Sequence, residues 1–344
     1  MKTRLVSKIA VAATLAASAA VAAPAIAAPA PATPRAAVTR IPVGTNPYQV
    51  AVARRLHEAF VVNRGSVSVV PMGSGRTVAT IPTGNGDQQV TIALGNGGRR
   101  AYVGGPDSPY VSVVDTARRK VVDNSVLVGN GTVGIATART AAGPRAYLAQ
   151  LDYSRLGVLD TRAGQITDYL ALPHGPQTVT TAPGGRTVWV GSSYSGAIWV
   201  VRAGDPKIVR TIRVRRSGPV SSVAFTRHGT RAWVSGLGGV SVLNVRSGKV
   251  LRFISAPRLF PKAQNLNLGP LVLSSRGTRA YIVNSTFPDE PQRGSLRVIT
   301  TRGYGLGALV RTGIEPVGVA IGQRGTVYVA NYGSKSVSAI RFGG

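Results

Sequence analysis

The sequence predicts an all-β fold, a seven-bladed β-propeller with four antiparallel strands per blade. One phrase, a basic turn followed by an aromatic residue and an aliphatic residue, most often valine, occurs seven times at spacings of 42 to 48 residues. Each copy contains several short strand signals, and helical periodicity is absent after residue 37. Repeats of 40 to 50 residues with four strands each are typical of propeller blades, whereas TPR and ankyrin repeats are shorter. The copies align on Phe60, Tyr102, Tyr147, Trp189, Trp233, Tyr281 and Tyr328.

Four strands, a to d, can be identified within each copy. Strand a is small and apolar, as in "VAVA" (50–53), and would line a crowded central channel. Strand b carries the aromatic residue, strand c is rich in valine ("VSVVD", 111–115), and strand d follows a glycine or basic turn ("GKVLRFI", 248–254). Because blades pack face to face, both sides of b and c must be apolar. We therefore expect the seven aromatic residues to pack between blades.

The two ends of the repeat region predict how the ring closes. The last copy ends at strand c ("SVSAIRF", 336–342), and an orphan strand ("AVTRIPV", 37–43) precedes the first copy. Pairing these two segments would complete blade 7 from both termini and remove an open sheet edge.

The N-terminal segment has the pattern of a secretory signal. Lys2, Arg4 and Lys8 precede an apolar run over 9–23, and small residues allow cleavage after Ala27. The run is shorter than the roughly 20 apolar residues of a membrane span. The mature chain is therefore predicted to have no transmembrane segment and to be extracellular, cell-wall associated or periplasmic. The predicted division is a signal peptide over 1–27, a Pro/Ala-rich linker over 28–36 and the propeller over 37–344.

The composition is strongly basic and lacks cysteine. The formal charge is +29, and excluding Lys2, Arg4 and Lys8 lowers it to +26. Such a charge attracts polyanions, here teichoic acid, an anionic lipid surface or nucleic acid. An arginine-rich composition without a specific partner is the alternative. With no cysteine, an exported chain must be stabilised by packing instead of disulfides.

The repeats resemble those of YVTN-type β-propellers. The resemblance lies in "IPVGTNPYQVAVA" (41–53), "RRAYVGG" (99–105), "YVSVVDTARRKVV" (110–122) and "VYVANYGSKSVSAI" (327–340). It implies a seven-bladed propeller outside the cytoplasm, mostly without catalysis, and it implies no single ligand. The family commonly has Asp-Gly in the a–b turn, whereas this chain has arginine there, as in "GGRT" and "SRGTR".

The sequence predicts no catalytic residue, no metal and no cofactor. His57 and His228 fall in a–b turns, whereas His174 falls in a d–a loop on the opposite face, so they should not share a metal. Asp115 and Asp160 end strand c at matching positions and are interpreted as turn formers. No nucleophile elbow, phosphate loop or calcium-loop spacing occurs. The alternative is a lactonase- or lyase-like enzyme, which would need acids or histidines to converge at the upper channel mouth.

The upper face, formed by d–a and b–c loops, is predicted to bind a protein or glycan. Loop aromatic residues are typical recognition anchors. The candidate residues are Tyr48, Tyr110, Tyr153, His174, Tyr194, Phe287 and Tyr332. Long insertions over 255–268 and 285–293 should overhang this face.

The lower face, formed by a–b and c–d turns, is predicted to bind polyanions. Six of the twelve acids map to upper loops, and an arginine-rich composition alone would not sort acids onto one face. Arginine suits phosphate because its planar fork donates two hydrogen bonds at once. The candidate residues are Arg54, Arg55, Arg99, Arg100, Arg139, Arg145, Arg186, Arg227, Arg231, Arg276, Arg279 and Arg324. The sequence thus predicts an exported, non-catalytic binding or scaffold propeller.

Overall fold

A computed structural model describes residues 36–84, 88–261, 263, 266, 268–284 and 293–343. Residues 34–344 form one compact unit. The predicted signal peptide and all but the last residue of the predicted linker lie outside the described residues. No helix in the described part of the chain has the length and apolarity to span a bilayer.

The described chain forms seven four-stranded antiparallel sheets, as predicted, and each sheet is one blade. Blades 1 and 2 comprise β2 (Val50–Ala53), β3 (Glu58–Asn63), β4 (Ser66–Pro71), β5 (Ala79–Pro82), β6 (Thr91–Gly95), β7 (Arg100–Gly104), β8 (Tyr110–Asp115) and β9 (Lys120–Leu127). Blades 3 and 4 comprise β10 (Thr132–Thr140), β11 (Gly143–Gln150), β12 (Arg155–Asp160), β13 (Gln165–Ala171), β14 (Pro176–Thr181), β15 (Thr187–Ser192), β16 (Ala197–Arg202) and β17 (Ile208–Arg213). Blades 5 and 6 comprise β18 (Val220–Phe225), β19 (Arg231–Gly236), β20 (Gly239–Asn244), β21 (Val250–Ser255), β22 (Leu268–Leu273), β23 (Arg279–Asn284), β24 (Arg293–Thr300) and β25 (Leu306–Ile314). A short helix, α1 (Ala256–Leu259), lies in the insertion that follows blade 5.

Blade 7 is built from both ends of the propeller, as predicted. It comprises β26 (Pro316–Ile321), β27 (Val327–Asn331), β28 (Ser336–Phe342) and, as its outermost strand, β1 (Ala36–Pro42). The register of β1 against β28 runs from Ala36 opposite Phe342 to Pro42 opposite Ser336. The closing strand thus lies one residue earlier than the predicted 37–43. Its pairing covers the edge of β28 that would otherwise be open.

The seven repeated aromatic residues pack between blades, which confirms their predicted role. None of them is more than 3 % exposed. Tyr147 of blade 3 packs in one cluster with Val188 and Trp199 of blade 4, and its hydroxyl donates to the Ala203 carbonyl. The Trp189 ring of blade 4 meets the Phe225 ring of blade 5 edge-on, with centroids 5.0 Å apart. The core is therefore a ring of interfaces between neighbouring sheets.

Polar side chains connect the inner strands around the channel. The Gln49 amide oxygen of blade 1 accepts from the Ile92 amide of blade 2 at 2.7 Å. The Thr91 hydroxyl of blade 2 likewise accepts from the Ile135 amide of blade 3 at 3.0 Å. Since the inner edge of each sheet has unpaired backbone groups, these bonds satisfy some of them and fix neighbouring blades relative to one another.

Candidate functional site: the two faces of the propeller

Three arginines from three blades line one cavity at the lower mouth of the channel. The cavity has a volume of about 520 Å³ and is lined by Arg54 of blade 1, Arg227 of blade 5 and Arg276 of blade 6. Phe225 and Leu273 supply its apolar wall. All three arginines are exposed and come from a–b turns, so the turns of distant blades meet at this mouth. We call these three residues the mouth triad.

Hydroxyl groups shape the turns that present the mouth triad. The Thr226 hydroxyl accepts from the Arg231 amide at 3.1 Å, which closes the turn that carries Arg227. In blade 6 the Ser274 hydroxyl accepts from the backbone amides of Thr278 and Arg279, both at 3.0 Å. Ser and Thr favour such local turns because their hydroxyls bind nearby backbone groups. Each triad arginine of these two blades is therefore held near the tip of a closed turn.

The described acids of the lower face are already paired with basic side chains. Glu58 of blade 1 binds Arg119 of blade 2, and Asp205 lies 3.0 Å from Arg202 and 3.3 Å from Lys207. Among the described residues, no ion pair joins these carboxylates to the mouth triad. The net field at this face is therefore positive.

Asp115 and Asp160 combine the predicted turn-forming role with an ion pair that sequence reasoning missed. The Asp115 carboxylate accepts from the Arg118 amide, and this bond holds its pKa below the ordinary value; Arg100 lowers it further. The Asp160 pKa is lowered chiefly by the amides of Ala163 and Arg162. Arg145 lies 2.6 Å from Asp160. Of the predicted anion-binding arginines, Arg100 and Arg145 are thus the two that form an ion pair with a described carboxylate.

The other predicted arginines divide by exposure. Arg279 is half-buried, as are Arg100 and Arg145, and it lies beside the Tyr281 hydroxyl. The Arg231 guanidinium donates to the Tyr304 hydroxyl at 3.3 Å. Nine are exposed and form no ion pair within the described part of the chain, namely Arg54, Arg55, Arg99, Arg139, Arg186, Arg227, Arg231, Arg276 and Arg324.

The upper mouth of the channel differs in its chemistry. A cavity of about 450 Å³ is lined by residues of all seven blades, including Gln49, Gln177 and Ser222. Among its described lining residues the one titratable side chain is Tyr48, whose pKa is raised by burial and by the neighbouring Tyr332. The enzyme alternative requires two titratable groups within hydrogen-bonding reach, and the described lining brings no carboxylate or imidazole there. Over the described residues, no three acids or histidines lie close enough together to hold a metal ion.

The predicted upper-face residues fall into separate groups. Tyr48 and Tyr332 lie at the channel mouth, with ring centroids 6.1 Å apart in an edge-on arrangement. Tyr110 and Tyr153 are exposed on blades 2 and 3. His174 and Tyr194 are exposed on blade 4, and Phe287 lies outside the described residues. The described candidate residues of the upper face thus form separate surfaces and do not share one pocket.

One upper feature was missed from the sequence, a stack of three side chains on blade 3. The Arg155 guanidinium lies 3.8 Å from the Tyr169 ring centroid and 4.6 Å from that of Tyr153. Tyr169 belongs to the outer strand β13 and is exposed. An aromatic residue at a solvent-facing position of an outer strand was the signal that could have found it. We call Tyr153, Arg155 and Tyr169 the rim stack.

Comparisons with known proteins support the fold and nothing finer. No protein-family model and no curated protein matches the sequence. Among solved structures, hydrazine synthase from Kuenenia stuttgartiensis is similar with a TM-score of 0.73 and 20 % sequence identity. The match covers 86 % of this chain and 95 % of that one. At this identity the similarity shows a shared propeller fold, and the activity of hydrazine synthase is not transferred.

Proposed function

We propose that this chain is an exported, non-catalytic binding propeller whose lower face binds polyanions. The observation that carries the proposal is the set of nine exposed arginines in a–b turns that form no ion pair with any described acid, beside acids that are already neutralised. A surface of this kind attracts extended anions and binds them through charge-assisted, often bidentate, hydrogen bonds. Affinity then arises mainly from counterion release and needs little sequence or shape specificity.

Two features of the sequence support a location at the cell envelope or outside the cell. The first is the N-terminal pattern over 1–27, and the second is the resemblance to YVTN-type repeats. The polyanions of that location include teichoic acid and anionic lipid surfaces. These are the partners that we propose, with nucleic acid as a third polyanion of the same chemistry.

A salt titration with matched variants tests the proposal. Binding of teichoic acid and of duplex DNA to the mature protein should fall steeply as salt rises, with a log–log slope of about −0.9 per phosphate contact on DNA. The variant Arg99→Glu, Arg139→Glu, Arg186→Glu should reduce that slope. The control Arg213→Glu, Arg215→Glu, Arg258→Glu removes the same charge from exposed residues away from the a–b turns. Binding that is indifferent to salt, or equal losses in both variants, would contradict the proposal.

A second candidate function is recognition of a protein or glycan by the upper rim of blades 2 and 3. The rim stack favours it, since two exposed tyrosine rings are held by one cation. Rigid aromatic residues beside arginine are enriched in the energetic centres of interfaces.

A further inference from the structure

We infer that the lower mouth is a discrete site for a compact oligophosphate, a ligand with two or more linked phosphate groups. This inference rests on the proposed function and narrows it, because it separates one cavity from the general basic surface. Inorganic triphosphate, a nucleoside triphosphate and the phosphate chain of a teichoic acid share this chemistry.

The first step is the convergence of like charges. The mouth triad brings guanidinium groups from blades 5 and 6 and from blade 1, across the channel, to one cavity. No carboxylate pairs with them in the described part of the chain. Charges of one sign that converge on one concave site raise the local concentration of counter-anions there. A multivalent anion is the ligand that such a site favours most.

The second step is the size and lining of the cavity. A volume of about 520 Å³ lies within the range of about 300–1,000 Å³ that small-ligand sites occupy. Ser275 lines the same cavity and can donate a hydroxyl hydrogen bond. Phe225 and Leu273 complete the lining with apolar surface. An oligophosphate can enter such a cavity, whereas a duplex can touch only the turns around it.

The third step is the way the triad is held. The Gln323 side-chain amide of blade 7 donates to the Arg54 carbonyl at 2.7 Å, which ties the turn of blade 1 to its neighbour. The turns of blades 5 and 6 are closed by Thr226 and Ser274. Binding therefore has to order the arginine side chains and not the backbone that carries them, which lowers its entropic cost.

The experiment compares two triads of equal charge by calorimetric titration with inorganic triphosphate. The mouth variant is Arg54→Gln, Arg227→Gln, Arg276→Gln, and the ring variant is Arg139→Gln, Arg186→Gln, Arg324→Gln. We expect the mouth variant to lose about tenfold or more in triphosphate affinity and the ring variant less than about threefold. Duplex DNA should weaken similarly with both. All six residues are exposed, so unfolding temperatures should match that of the wild type.

A third variant and two further ligands identify which chemical feature of the ligand the cavity recognises. Replacing the mouth triad by lysine keeps the charge and removes the planar fork, so triphosphate affinity should fall while the salt slope for DNA is kept. Tighter binding of ATP than of triphosphate would show that the apolar wall contacts a base, whereas preference for poly(glycerol phosphate) would identify a teichoic acid chain as the source.

Equal triphosphate losses in the mouth and ring variants would overturn the inference and leave the proposed function standing, as would binding of DNA without binding of triphosphate. Absence of all polyanion binding would overturn both.

Discussion

The guanidinium carbon of Arg155 lies 3.8 Å above the ring of Tyr169, although Tyr169 is 43 % exposed on an outer strand. Gln150, which is fully buried, fixes this arrangement: its amide oxygen accepts from the Arg155 Nε at 2.7 Å. Its amide nitrogen lies 2.8 to 3.2 Å from three consecutive carbonyl oxygens, beginning with that of Val128. The Tyr169 hydroxyl donates to the same Val128 carbonyl at 3.1 Å. The buried amide of Gln150 thus anchors the exposed contact between Arg155 and Tyr169.

Gln150→Ala should lower the free energy of unfolding by about 2–3 kcal/mol, because the substitution empties the space of a fully buried side chain and removes its hydrogen bonds to the Arg155 Nε and to the Gly129 and Asn130 carbonyls. Denaturant unfolding measures the change. Gln165→Ala, at an exposed position of β13 in the same blade, should stay within about 0.5 kcal/mol of the wild type. Equal stability of the two variants would show that Gln150 does not hold the loop over 128–130.

Recognition by the upper face should depend on blades 2 and 3 and not on blade 4. Tyr110→Ala with Tyr153→Ala removes exposed rings from blades 2 and 3, whereas Tyr194→Ala removes one from blade 4. All three positions are exposed, so each variant should unfold like the wild type. A partner captured from envelope extract by the wild type should bind the double variant at least about tenfold more weakly, as expected for loss of aromatic anchors. Unchanged affinity of the double variant, measured with the purified partner, would move recognition away from the rim.

The closing blade makes a prediction about truncation. Deleting 336–344 removes β28, which carries the fully buried Val337 and Ile340 and pairs with strands on both sides. At about 1.5–3 kcal/mol for each buried aliphatic side chain, with two strand pairings also lost, the cost approaches a whole domain's stability of about 5–15 kcal/mol. We expect the truncated chain to lose its cooperative thermal transition. Deleting 343–344 alone is the control. A cooperative thermal transition in both truncated chains would contradict a blade 7 that depends on strands from both termini.

The sequence predicted the architecture well because each blade repeats one local pattern. The spacing of the aromatic residues located all seven b strands, and the orphan segment over 37–43 identified the closing strand to within one residue. The interpretation of the lower face was less complete. Arg100 and Asp115 lie directly opposite each other on β7 and β8, as do Arg145 and Asp160 on β11 and β12. These pairs could have been derived from the hairpin register.

The convergence of the mouth triad could not have been derived in that way. Arg54 and Arg227 are separated by 173 positions, and their meeting depends on how tightly seven blades close around the channel. That closure is set by the packing of all the interfaces together, which no local pattern encodes. The rim stack differs from the mouth triad, because it lies within blade 3: Arg155 is paired with Ala171 on β13, two positions from Tyr169, so the hairpin register could have indicated it.

Alkaline pH should destabilise the propeller through its buried phenols, of which Tyr147 is the clearest. Burial raises the pKa of Tyr147 from 10.0 to about 12. In the unfolded chain the phenol loses its proton near its ordinary pKa, whereas in the folded protein it keeps the proton until about pH 12. The unfolded state therefore binds fewer protons across this interval, and the free energy of unfolding falls as the pH rises from 10.0 to about 12.

Tyr147→Phe removes that ionisation together with the hydroxyl bond to Ala203. We expect the variant to be less stable at neutral pH by about 1 kcal/mol and to lose less stability on the alkaline side. Denaturant unfolding across the interval, beside Tyr194→Phe at an exposed loop position, measures both effects. An alkaline loss as steep in Tyr147→Phe as in the wild type would mean that this phenol does not contribute to it.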